Sequence, residues 1–137
     1  MKIVSSNYRG MGSKLKEEAM KDLVRMENPD ILLIHETKLE EKDFLQSSKH
    51  FWKKGRGLEV SSRGASGGLG ILWNDSKLEN IQERYNTHWI FVQFLHQESK
   101  EIVSLFNIYV TMNFSDFFFV GRRFGLSKKR SLWKTLF

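Results

Sequence analysis

Two short polar signatures close two strands of a single strand–helix–strand unit, and this arrangement constrains the fold more than any other feature. The first, Ser6-Asn7-Tyr8-Arg9-Gly10, follows the apolar start Ile3-Val4; the second, His35-Glu36-Thr37-Lys38, follows Asp30-Ile31-Leu32-Leu33-Ile34. Between them, Leu15, Ala19, Leu23 and Met26 recur at spacings of four, four and three, which predicts an amphipathic helix over Lys14 to Glu27. Ser13 stands where an N-cap is expected, and Asn28-Pro29 ends the helix because the residue before proline is driven out of the α region. Parallel strands joined by a helical crossover run the same way, so their carboxyl ends share one edge of the sheet. Asn7 and Glu36 are thereby expected close together, where open α/β sheets hold their ligands.

The rest of the chain predicts a layered α/β fold. Residues 39–56 read as a short helix and loop anchored by Phe44, Phe51 and Trp52. The glycines of Arg63-Gly64-Ala65-Ser66-Gly67-Gly68-Leu69-Gly70-Ile71-Leu72-Trp73 mark a turn feeding a strand, which Asn74-Asp75 closes. Residues 78–84, 88–95 and 102–110 follow as antiparallel strands, the last two joined across His96 to Lys100. Periodicity weakens after Val110, where a divergent tail over 111–137 is expected, with a helix over Ser127 to Phe137.

Composition bounds the chemistry. A chain of 137 residues, 40% hydrophobic and with 11 Phe, has the material for one buried core. Disulfides, thiolate metal sites and cysteine nucleophiles are excluded because there is no Cys. The apolar start is too short for a secretory signal, and no stretch approaches the roughly 18 apolar residues of a membrane span, so an intracellular protein is expected. The net charge of +6 is concentrated at one end: residues 111–137 hold Arg122, Arg123, Lys128, Lys129, Arg130 and Lys134 against Asp116 alone. Such a segment can contact a phosphate backbone or form a solvated face.

Two phosphate motifs are excluded. Gly10-Met11-Gly12 begins like a dinucleotide-binding turn, but Leu15 stands where close helix–strand packing requires glycine, and no Gly-Lys-Ser/Thr occurs at P-loop spacing. The four histidines show no metal-ligand spacing. Glu36 is more informative. A carboxylate just past a buried strand faces a cleft or solvent, and Mg²⁺ takes one or two carboxylates, several waters and substrate phosphate oxygens. Glu36 with the Asn7 amide makes half of such a site; each alone also fits a solvated strand-end or turn residue.

Four segments occur in a telling order: Ser5 to Gly12, Pro29 to Lys38, Arg63 to Trp73, and Asn107-Ile108-Tyr109-Val110. Together they resemble the endonuclease/exonuclease/phosphatase superfamily, and most nearly the endonuclease domain of plant LINE-type (non-LTR) retrotransposons, over residues 2 to about 110. The resemblance implies a four-layer α/β sandwich, here incomplete, with two packed sheets and outer helices. It implies that Asn7 orients metal or phosphate, that Glu36 binds Mg²⁺ (or Mn²⁺), that Lys38 contacts substrate, and that the Tyr109 hydroxyl reaches the scissile phosphate. DNA is the implied partner and the nucleus the implied location.

Several positions depart from that pattern. Ser6 stands where relatives carry tryptophan, His35 where many carry glutamine, and Thr111 where proline is common. Neither the family's Gly-Asp-Phe-Asn motif nor its terminal Asp-His pair occurs in the 137 residues. Those groups support the attacking water and stabilise the phosphorane-like charge; general-base assistance alone contributes about 10²–10⁴ in rate. A catalytically incomplete, truncated phosphodiesterase is therefore expected, with sheet edges left open to self-association. The alternative is a non-catalytic nucleic-acid-binding module using Arg122, Arg123, Lys128 and Lys129. A phosphatase acting on phosphoinositides or small phosphoesters is a third reading.

Overall fold

The computed structural model describes residues 1–7, 14–35, 41–60, 68–108, 117–124 and 128–130, with the backbone alone at Asn7, 41–44, 117–124 and 128–130. Its elements run β1 (Ile3–Asn7), α1 (Lys14–Glu27), β2 (Ile31–His35), α2 (Glu41–Phe51), β3 (Gly55–Val60), β4 (Leu69–Asn74), β5 (Leu78–Tyr85), β6 (Trp89–His96), β7 (Ile102–Ile108), β8 (Phe117–Phe124) and β9 (Lys128–Arg130). They form a four-stranded mixed sheet, ordered β1-β2-β4-β3, and a five-stranded antiparallel sheet, ordered β5-β6-β7-β8-β9. This is the expected α/β sandwich.

β1 pairs in parallel with β2, from Ile3↔Ile31 to Asn7↔His35, and β4 pairs antiparallel on the other side of β2. Every residue of β2 is buried, as its unbroken apolar run requires of a strand covered on both faces. One face of the first sheet meets the second: Ile3, Ile31, Leu33, Leu69, Ile71 and Trp73 join Ile90, Val92, Phe94, Val103 and Leu105 in a single core. The other face, through Val4, Leu32, Ile34 and Leu72, packs on Met20 of α1 and on Phe51 and Trp52. Gly57 allows this approach: a Cβ there would stand 2.5 Å from Leu72 and 2.7 Å from Leu45.

The helix α1 has the expected bounds but buries a different stripe. Met20 is buried and Leu23 and Val24 are half-buried, whereas Leu15 and Met26 are 79% and 77% exposed. Spacing alone does not choose between overlapping stripes. Met20, Leu23 and Val24, at offsets of three and four, offer a broader apolar patch than one interrupted by the single methyl of Ala19. At its end Asn28 takes φ 43° and donates its N–H to the Val24 carbonyl at 2.9 Å, a left-handed cap that asparagine tolerates. The proposed cap at Ser13 lies outside the described residues.

Two further expectations are corrected. β3 falls in a stretch read partly as helix and loop; its two glycines hide a strand that pairing with β4 imposes, from Gly55↔Asn74 to Val60↔Leu69. At the other end, the helix expected over 127–137 is not formed at Lys128–Arg130, which is strand β9 on the edge of β8. The aromatic run Phe117-Phe118-Phe119-Val120 has strong strand propensity, and β7 offers it an unpaired ladder from Ile102↔Arg123 to Ile108↔Phe117. The second sheet thus continues past residue 110. Residues 131–137 lie outside the described residues, as does Asp116. No helix among the described residues is long and apolar enough to cross a membrane.

At the amino edge of the first sheet, Asp30 joins three segments. Its carboxylate accepts the Lys2 N–H at 2.7 Å and the Lys77 ammonium at 3.1 Å, and its carbonyl accepts the Asn74 N–H at 2.9 Å. Removing that carboxylate (Asp30→Ala) is expected to cost about 2 kcal/mol, discounted for the half-exposed Lys77. Met20→Ala is expected to cost about 2–5 kcal/mol and Met26→Ala under about 0.5 kcal/mol. Urea unfolding of the three variants checks both the clamp and the orientation of α1; equal losses at Met20 and Met26 would refute the latter.

Candidate functional site

The parallel register places Asn7 directly beside His35, so the carboxyl ends of β1 and β2 share one edge. Glu36 is the next residue along the chain. Its side chain, with those of Asn7, Lys38 and Tyr109, lies outside what the structure describes, and so do the side chains of Arg122, Arg123, Lys128 and Lys129. The backbone nonetheless fixes where the segments that carry them begin and end.

β4 starts at the same edge, with Leu69 opposite His35 and Gly70 opposite Ile34. Gly68, the first described residue of the glycine-rich segment, takes φ 97°, a conformation that glycine adopts without strain. The second sheet is tied to this point by Asn107. Its side chain is fully buried, and its Nδ2 donates to the Gly70 carbonyl at 3.3 Å. The end of β7, which leads into Tyr109, is therefore held against the edge where β1 and β2 end. Segments from all four sequence signatures converge there.

Beneath the edge lies a polar cluster that sequence reasoning missed as a unit. Ser5 and His35 are both buried, with Ser5 Oγ 3.5 Å from His35 Nδ1. His35 belongs to the strand face that packs on the second sheet, alternating with Ile31 and Leu33, and so supports the edge from below. The only available signal was polar residues at positions where β-strand alternation predicts burial.

A cleft sits at the opposite end of the sandwich, near Trp73, which pairs with Ile31 at the start of β2. This cleft of about 540 Å³ is lined by Arg56, Trp73, Asp75, Glu79, Asn80 and Glu83, among others. Arg56 is engaged by Asp75 at 3.1 Å, leaving a carboxylate-rich lining that disfavours an anionic phosphoester. Among the described residues no group of three or more His, Asp or Glu could hold a metal ion.

The Asn107 contact can be tested directly. Asn107→Asp would bury a carboxylate, and burial raises its folded-state pKa above the unfolded value of about 3.9. Its stability is therefore fullest below that pH and falls as pH rises towards the folded-state value. A loss of about 3 kcal/mol or more is expected at pH 7, partly recovered at pH 4, by urea unfolding at the two pH values. A loss independent of pH would contradict the buried placement.

No protein-family profile matches the chain, and no curated protein sequence does. Solved structures do. The AP endonuclease LMAP of Leishmania major superimposes with a TM-score of 0.59 and 16% identity, over 80% of this chain and 40% of its own. A humanized D. rerio TDP2 gives 0.58 and 14%, over 82% and 49%, and an AP endonuclease from Archaeoglobus fulgidus gives 0.54 and 18%, over 69% and 37%. The chain thus spans less than half the length of each of these structures. At such identities the likeness concerns the fold alone: the two-sheet α/β sandwich of this chain superimposes on part of each of those structures.

Proposed function

We propose that the chain carries the metal-binding half of a Mg²⁺-dependent phosphodiesterase centre of DNA endonuclease type, related to that of LINE-type retrotransposons. What supports this reading is the meeting of β1, β2, β4 and β7 at one edge, where the register sets Asn7 beside His35 and one residue from Glu36. The donor set fits the metal: one carboxylate and one amide oxygen leave positions for water and a phosphate oxygen, as Mg²⁺ or Mn²⁺ prefers. When bound, such an ion polarises the phosphoryl oxygen and neutralises charge as it develops. Glu36 and Asn7 would hold it, Lys38 would neutralise a neighbouring phosphate oxygen, and the Tyr109 hydroxyl would donate to the scissile phosphate. The structural neighbours named as AP endonucleases make DNA the favoured substrate.

The 137 residues lack the histidine–aspartate pair and the Asp/Asn motif, so binding is proposed to outlast turnover. A nicking assay on supercoiled plasmid and on abasic-site duplex in Mg²⁺ is expected to show no hydrolysis above background. Duplex binding is expected to strengthen when Mg²⁺ is added, and Glu36→Gln is expected to remove that increment. Turnover by the chain alone would refute the incompleteness, and a metal increment that survives Glu36→Gln would refute the site.

A second reading is favoured by one observation. Arg122, Arg123, Lys128, Lys129 and Arg130 fall on the two adjacent strands at one margin of the second sheet. On that reading the chain binds nucleic acid without catalysis, and the binding weakens steeply with salt and is unaffected by Glu36→Gln. Self-association through sheet edges is proposed at β1 or β3, since β5 is blunted by a bulge between Asn80 and Gln82 and by exposed Glu79, Glu83 and Arg84.

A further inference from the structure

The cleft near Trp73 is built by segments of both sheets. β3 is an outer strand of the first sheet and β5 an outer strand of the second. Arg56 comes from β3, Trp73 from β4, Asp75 from the turn between β4 and β5, and Glu79, Asn80 and Glu83 from β5. Its volume of about 540 Å³ suits a small ligand or one large side chain with its flanking backbone. One cation stands against three carboxylates in the wall, and Asp75 engages that cation, Arg56, at 3.1 Å. Glu79 and Glu83 thus leave the cleft negative. Charge alone does not make a site, since exposed carboxylates are ordinarily solvated.

Two buried polar atoms of the residues in the wall supply the second observation. Trp73 is only 4% exposed, and its ring is fixed against Phe94, with centroids 5.1 Å apart and planes at 55°. Its indole N–H has no acceptor among the described residues. A buried indole N–H ordinarily finds a partner, and leaving a buried donor unpaired costs more than a made bond returns. Asn80 shows the converse. Its Nδ2 donates to Glu83 Oε2 at 2.7 Å, which orients the amide, and its buried Oδ1 has no donor among the described residues. The β-bulge between Asn80 and Gln82 falls at this point, and bulges re-aim the side chains beside them. One unmet donor, one unmet acceptor and two carboxylates therefore belong to a single cleft.

We propose that this cleft binds an arginine side chain of a partner peptide together with its flanking peptide groups, independently of the strand-end site. The guanidinium carries five donors in a planar fork and pairs with Glu79 and Glu83. A peptide group carries both things that the wall lacks: a carbonyl for the Trp73 N–H and an N–H for Asn80 Oδ1. Chemistry selects this occupant over the alternatives. A phosphoester is repelled by the carboxylates, and a simple polyamine has no acceptor to offer Trp73. A bare divalent cation would likewise leave the indole N–H unpaired.

The test titrates the full ¹⁵N-labelled chain with N-acetyl-arginine-N-methylamide and follows the Trp73 indole N–H with the backbone amides of Asn80 and Glu83. Two further probes separate the contributions. The citrulline counterpart keeps the shape and the peptide groups without the charge, and propylguanidinium keeps the charge without the peptide groups. The arginine probe is expected to shift all three signals saturably, and the other two to bind about five-fold or more weaker. Glu79→Gln and Glu83→Gln, both at exposed positions, are each expected to weaken the arginine probe about two-fold or more. A Trp73 indole signal that does not respond to the arginine probe would overturn the proposal. So would equal binding of the three probes, or affinity unchanged when both glutamates are replaced.

Discussion

The parallel pairing of β1 with β2 is the constraint on which everything else in this molecule rests. Its register, Ile3↔Ile31 through Asn7↔His35, joins two segments separated by a helix and brings their carboxyl ends to one line. The pairing is held from three sides. β2 is buried along its whole length, Asp30 fastens the opposite end, and α1 returns the chain over the face formed by Val4, Leu32, Ile34 and Leu72. A slip of one residue would turn Ile31 and Leu33 towards the helices and set Leu32 and Ile34 against the second sheet. The same slip would separate positions 7 and 36.

The second sheet is fitted to that line by a polar contact at its end. Asn107 is the one buried polar residue described in the second sheet, and it donates across the interface to Gly70. The surrounding core of Leu33, Ile71, Phe94, Val103 and Leu105 supplies most of the adhesion but little positional information, since apolar contacts are non-directional. The amide supplies direction. The two ends of the sandwich also differ: exposed carboxylates line the cleft near Trp73, whereas towards the opposite edge the buried Glu59 of β3 stands opposite Gly70 in the register. A phosphoester is steered away from the first end.

Much of this architecture was legible in the sequence where local rules and tertiary demands agree. The run Ile31 to Ile34 reads as a doubly covered strand, Asn28-Pro29 as the end of a helix, and His96 to Lys100 has the length of a hairpin turn, closed here by Lys100 at φ 59°. Legibility failed where pairing overrode propensity. Gly55 and Gly57 conceal β3 because the close approach of Leu45 and Leu72 matters more there than strand propensity. β8 and β9 depend on the free edge of β7, which no local window contains. In α1 periodicity fixed the helix but not its rotation, since Leu15 and Met26 fit the same spacing and remain exposed. For the candidate site, motif order anticipated which strand ends meet, while the buried Ser5–His35 pair and the anchoring role of Asn107 needed the second sheet in place.

The central claim is that residues 7 and 36 form one divalent-cation site, and paramagnetic broadening by Mn²⁺ measures it most directly. With a substoichiometric amount of Mn²⁺ added to isotope-labelled chain, the account predicts that the backbone amide signals of Asn7, Glu36 and Ile108 broaden together and before all others. Broadening centred on Asp75, Glu79 and Glu83, with those three amides unaffected, would contradict it.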